Sequence, residues 1–153
     1  MKTILISLKE KHFNATLDGS KGHEFRRKIP KYYKNLLAFI YVTKPVGEIK
    51  GYIEFGPPIE GNINEMVSLQ KEHNYSSEQS IREYFAGSPK CFALPVKKST
   101  AFTPISLEQI RQKISNFMPP QSYIYLRSKE LIDLIIPNVP EYIKEILRPK
   151  GLF

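Results

Sequence analysis

The sequence predicts an α+β fold, a small curved β-barrel with flanking helices. Three observations carry that expectation. About six short strand-like segments are separated by local helical stretches rather than alternating regularly with them. One of these segments, Leu36 to Thr43, is continuously apolar and so suits a strand covered on both faces. No repeat or low-complexity linker interrupts the chain, and its 153 residues suffice for one domain with a real core.

Thr3 to Leu8 is rich in β-formers and opens the chain as a strand. Lys9 to Asp18 follows as a short helix, with Phe13 and Leu17 forming an apolar stripe at i, i+4 and Gly19 at the C′ position. His23 to Lys28 is the second strand, stopped by Pro30; the Leu36–Thr43 strand comes next, then Gly47 to Phe55, ended by Gly56-Pro57-Pro58. The more polar stretches Asn62 to Asn74 and Ser77 to Ala86 are helical, an insertion over about 62–87. Cys91 to Val96 and Lys98 to Thr103 return to strand character, with Pro95 implying an edge or a bulge. Ser106 and Gln109 form a capping box, and Ile105 with Ile110 its hydrophobic staple, for a helix reaching about Ser115. After Pro119-Pro120, Ser122 to Leu126 is a last strand. Two closing helices occupy about 128–148, with the Tyr142, Ile143, Ile146, Leu147 stripe in packing.

Lysine and arginine outnumber aspartate and glutamate 23 to 15, a formal charge of +8, which favours polyanions such as nucleic acid or a nucleotide. Cys91 is the only cysteine, which excludes an intrachain disulfide and a multi-cysteine metal site. His12, His23 and His73 are scattered without metal-ligand spacing, so neither metal nor cofactor is expected. The apolar run at the N-terminus is too short for a signal peptide. No segment approaches the ~18–20 apolar residues of a spanning helix. A soluble, cytoplasmic protein without membrane attachment is the expectation; the oligomeric state is open.

The segment from Gly19 to Lys34 carries the chemistry. Glu24 and Arg26, two residues apart in a strand, share a face, with Lys21 at the mouth of the pair. Arg27, Lys28, Lys31 and Lys34 add charge, and Phe25, Tyr32 and Tyr33 add aromatic surface. That mixture suits phosphate contacts and base stacking on RNA; the alternative is a solvated edge strand whose lysines discourage pairing with other chains. Lys21 suits a phosphate or oxyanion, or acts as an amine activated by burial and Arg26. Glu24 suits a base amino group, a ribose hydroxyl or general-base work. Arg26 suits bidentate phosphate recognition, or simply neutralises Glu24. His23 alternates to the other face and reads as a surface residue. Gly19-Ser20-Lys21-Gly22 lacks P-loop spacing, and Ser99 and Thr100 beside Lys97 and Lys98 have nothing around them to make a Ser–Lys pair.

Gly19-x-Lys21-x-x-Glu24-x-Arg26, placed after a strand and a short helix, resembles the signature of ASCH domains, members of the PUA-like superfamily of small β-barrels. The resemblance continues through Tyr41-Val42-Thr43, Pro45 to Ile53, and Pro119 to Tyr125, and so spans most of the chain. It implies a cleft between the sheet and its flanking helices, lined by Lys21, Glu24 and Arg26 and completed by Gln121 and Ser122. It also implies an RNA- or nucleotide-binding domain, an RNA-linked regulator of transcription. The alternative it leaves is a hydrolase acting on RNA or on an acylated modified nucleoside, with Lys21 and Glu24 as catalytic residues. Glu24 stands where the amidohydrolase relatives place a threonine, which argues against that activity.

Overall fold

A computed structural model describes residues 1–31 and 34–148; Tyr32 and Tyr33 lie outside the described residues. The elements are β1 (Lys2–Leu8), α1 (Glu10–Leu17), β2 (His23–Arg26), β3 (Leu36–Val42), β4 (Glu48–Phe55), β5 (Ile59–Gly61), α2 (Ile63–Lys71), α3 (Glu78–Phe85), β6 (Cys91–Ser106), α4 (Leu107–Lys113), β7 (Tyr123–Tyr125), α5 (Lys129–Ile135) and α6 (Glu141–Leu147). The strands form one mixed sheet in the order β2-β6-β4-β3-β1-β7, with β5 paired to β6 as well. Only β1 and β3 run parallel among these pairs. The sheet curls into a half-barrel flanked by helices, the α+β architecture expected from the sequence.

All seven residues of β3 are buried. Their alternation feeds two cores. Leu37, Phe39 and Tyr41 face a cluster completed by Ile110 of α4, Leu131 and Ile135 of α5, and Ile143 and Leu147 of α6. Leu36, Ala38, Ile40 and Val42 face the other, with Ile4, Ile6, Ile53 and Phe13 of α1. A third cluster sits under the polar insertion, where Met66, Val67, Ile81 and Phe85 of α2 and α3 cover Cys91 and Ala93 of β6.

Three expectations change. Phe13 of the expected stripe is buried, but Leu17, the last residue of α1, is 39% exposed, and Ala15 and Thr16 are the other buried positions of the helix. The two strands expected over Cys91–Val96 and Lys98–Thr103 are one sixteen-residue strand, β6. Proline is tolerated there because Pro95 stands where β4 ends: its carbonyl accepts from Gly56 N, and the next N–H, of Val96, turns to Gly22 O on the opposite side. Beyond that point β5 continues along the edge that β4 has left, pairing Ile59 with Ala93. Nothing in the sequence marks this three-residue strand. In α6, Tyr142 leaves the packed stripe and is 44% exposed, donating to Glu54. The capping box of Ser106 and Gln109 forms, and Ile105 and Ile110 are both buried. No helix among the described residues is long and apolar enough to cross a membrane.

Candidate functional site

Gly19 follows α1 with φ +83°, a left-handed conformation that costs glycine little. The turn is tied by Ser20 N donating to Asp18 Oδ1 and by Lys21 N donating to Ala15 O. Lys21 is thereby set at the start of β2, where alternation puts Glu24 and Arg26 on the same side. Lys21 Nζ donates to Glu24 Oε1 at 3.0 Å, and Arg26 Nη2 lies 3.7 Å from Glu24 Oε2. Arg26 also donates to the Ser7 carbonyl at the end of β1, at 3.1 Å. Lys21 and Glu24 are only 7% and 6% exposed.

Burial pushes the Glu24 carboxyl upward, but Lys21 and Arg26 beside it outweigh that and hold it below the usual range. Glu24 is therefore a carboxylate and a weak base in this state. Its Oε2 has no hydrogen-bond partner although it is buried, so one acceptor remains for a donor entering from outside.

These side chains line a cavity of about 360 Å³ between β2, the ends of β1 and α1, and the α2–α3 insertion. Two residues the sequence did not single out join them. Tyr75, from the α2–α3 turn, places its ring 5.7 Å from Lys21 Nζ and its hydroxyl 2.8 Å from His12 Nδ1. The same hydroxyl lies 3.3 Å from the Lys11 carbonyl. Burial and the Lys21 charge lower the His12 pKa to about 4, so the imidazole is neutral near pH 7.

Not every expected residue joins this cavity. Gln121 and Ser122 line a neighbouring depression with Arg26, Arg27, Lys28 and Tyr84, connected to the first through Arg26 and Tyr84. There the Arg27 guanidinium stacks 4.9 Å above the Tyr84 ring. Tyr32 is not among the described residues. His23, expected on the surface, is half-buried, packs near Phe25 and His73, and lines the main cavity. The histidines are less scattered than their spacing suggests: ligand atoms of His23, Glu72 and His73 lie within 4.8 Å of one another.

The His12 environment has a measurable consequence. Unfolded, His12 titrates near its ordinary 6.5; folded, it stays neutral down to about 4. Between those values the unfolded chain binds more protons, so stability falls as the pH is lowered through that window. Glu24 adds a loss further down, since its depressed pKa contributes stability present above the ordinary 4.5 and lost as pH falls below it. Urea unfolding near pH 7 and pH 5 is expected to show a smaller drop in His12→Gln than in wild type. Equal drops would refute the assignment.

A scan of the chain against protein-family models finds no match. A curated relative from Zymomonas mobilis, described as an ASCH domain-containing ribonuclease, is 34% identical over 134 residues, 88% of this chain and 90% of that protein. The crystal structure of ASCH from Zymomonas mobilis superposes with a TM-score of 0.79 at 33% identity, covering 90% of this chain and 96% of that one. The N-terminal domain of Staphylothermus marinus McrB shares the fold alone, with a TM-score of 0.52 at 10% identity over 84% of this chain and 90% of that one. With its signature on the α1–β2 turn, its barrel superposing and a third of its residues identical over nearly the whole length, the chain belongs to the ASCH domain family.

Proposed function

We propose that this protein binds single-stranded RNA in the cavity beside Lys21, Glu24 and Arg26 and cleaves it. The observation that carries the reading is a buried cation–carboxylate–cation group opening into a cavity, in a chain 34% identical to a protein described as a ribonuclease. Strand cleavage needs a base for the attacking hydroxyl and positive charge on the non-bridging phosphate oxygens. His12, neutral near pH 7 and acting in the tautomer protonated on Nδ1, takes the proton of a ribose 2′-hydroxyl through Nε2. The 2′-oxygen bonds to phosphorus, and the 5′-oxygen leaves and takes a proton from solvent, giving a 2′,3′-cyclic phosphate and a 5′-hydroxyl. Lys21 and Arg26 stabilise the added negative charge, while Glu24 holds both cations in place and offers Oε2 to a base amino group. Arg27 and Tyr84 continue the surface for the next nucleotides.

A second reading is an RNA-linked regulator that binds without cutting. It is favoured by the closed pairing, in which both cations already face Glu24. Both readings place RNA here, and a labelled single-stranded oligoribonucleotide separates them. The expected result is cleavage that yields a cyclic phosphate, with affinity falling steeply as salt rises; the same strand carrying 2′-deoxyribose at the cleaved position stays intact. Binding without cleavage supports the second reading. Absence of binding at low salt overturns both.

A further inference from the structure

The group His23, Glu72 and His73 lies at the edge of the same cavity and has no part in the reaction above. His23 opens β2, while Glu72 and His73 follow directly on the last residue of α2, fifty residues away in the chain. Each offers one ligand atom, and these atoms lie within 4.8 Å of one another. A tetrahedral metal with bonds of ~2.0–2.1 Å needs its ligand atoms ~3.3 Å apart. Glu72 and His73 are exposed and close that gap by side-chain rotation. Among the described residues, no hydrogen bond or ion pair occupies any of the three side chains. Two imidazoles and a carboxylate held ready but unengaged are a ligand set, not a structural network.

The backbone is shaped to admit this arrangement. Gly22 sits directly under the His73 imidazole, where a Cβ at position 22 would collide with Cε1, Nδ1 and Nε2 of the ring. His73 therefore reaches His23, with ring centroids 6.0 Å apart, only because residue 22 has no side chain. The half-buried His23 packs beside the Phe25 ring, which limits its freedom and presets one ligand.

We propose that His23, Glu72 and His73 bind a divalent transition-metal ion of the zinc class. Imidazole nitrogen and carboxylate oxygen suit zinc, and hard-oxygen cations such as magnesium are not matched by a set with two imidazoles. Three protein ligands leave one tetrahedral position open. Because His23 and His73 line the cavity, that position is available to water or to a phosphate oxygen of a nucleotide bound beside Lys21. The ion also ties β2 to the end of α2, clamping the insertion over the cavity.

The proposal is tested on the full, tag-free chain, without RNA, by isothermal titration with zinc chloride and by the visible absorption of cobalt(II). The outcome is thus independent of whether the protein cleaves RNA. One zinc per chain is expected, together with cobalt bands of a four-coordinate site. His73→Ala and Glu72→Gln, both at exposed positions that leave the fold intact, weaken zinc binding at least ~10-fold, the minimum expected when a direct ligand is lost. Gly22→Ala, which displaces the His73 ring, weakens it as well while circular dichroism stays that of wild type. No zinc binding by wild type, or binding equally tight in His73→Ala and Glu72→Gln, overturns the proposal.

Discussion

Replacing Lys21 by methionine is expected to lower RNA cleavage at least ~100-fold, the typical effect of removing one preorganised donor from a developing oxyanion, and to destabilise the protein as well. The side chain fills similar volume, so packing survives, but Glu24 loses the donor on Oε1 and keeps only Arg26 at 3.7 Å. A buried carboxylate stripped of one partner in this way costs ~3–5 kcal/mol. Loss of stability alone would confuse the outcome, so the decisive variant is the double substitution Lys21→Met with Glu24→Gln. Neutralising the stranded carboxylate recovers much of the melting temperature, whereas cleavage stays low because the cation on the phosphate is still missing. If the double variant regains cleavage together with stability, Lys21 acts only as the partner of Glu24, and its role on RNA is refuted.

The largest purely structural effect is expected at Gly51. A Cβ there would strike the carbonyl oxygen of Thr100, approach Ala101 Cα to 2.9 Å and meet Phe13 Cζ at 2.8 Å. Two of these are backbone atoms of β6, directly across the ladder, where Gly51 pairs with Ala101 beside a bulge in the β4–β6 register. Relief requires the two strands to part at the middle of the sheet, so Gly51→Ala is expected to cost at least ~3 kcal/mol, the upper end of overpacking. Gly56→Ala is the matched control. Its added carbon meets only the flexible end of Lys97, with Cε at 2.9 Å, and that side chain can swing away. Urea denaturation of the two variants tests the contrast. Equal stabilities would mean that β4 and β6 part without penalty.

What could be read from the chain, and what could not, follows the range of the interactions. β3 was legible because burial on both faces writes an unbroken apolar run, and α4 because its cap is a local exchange of hydrogen bonds. The two-residue period that puts Glu24 and Arg26 on one side is equally local. Pro95 marked a bulge, which the β4–β6 register shift between Glu54 and Phe55 bears out, but that β6 runs on through it depends on where β4 stops, forty residues away near Phe55. β5 is too short to carry a pattern and exists because β6 has a vacant edge beyond Gly56. His12 and Tyr75 meet across a separation of 63 residues, and nothing in the spacing of either announces the contact. Glu72 and His73 meet His23 only once α2 has docked on β6. The signature strand was visible from its own residues; the opposite wall of the cavity belongs to the tertiary fold.

The length of β6 divides the molecule's obligations. Its second half lies in the barrel against β4, while Cys91 to Pro95 carry β2 on one edge, β5 on the other and the α2–α3 cover above. The floor and roof of the cavity thus hang from the same five residues, of which Leu94 alone reaches into the barrel core while Cys91 and Ala93 pack under the insertion. Changes in the insertion can remodel what the pocket accepts while the barrel persists unaltered. A fold partitioned this way lets ligand choice diversify among descendants without renegotiating foldability each time.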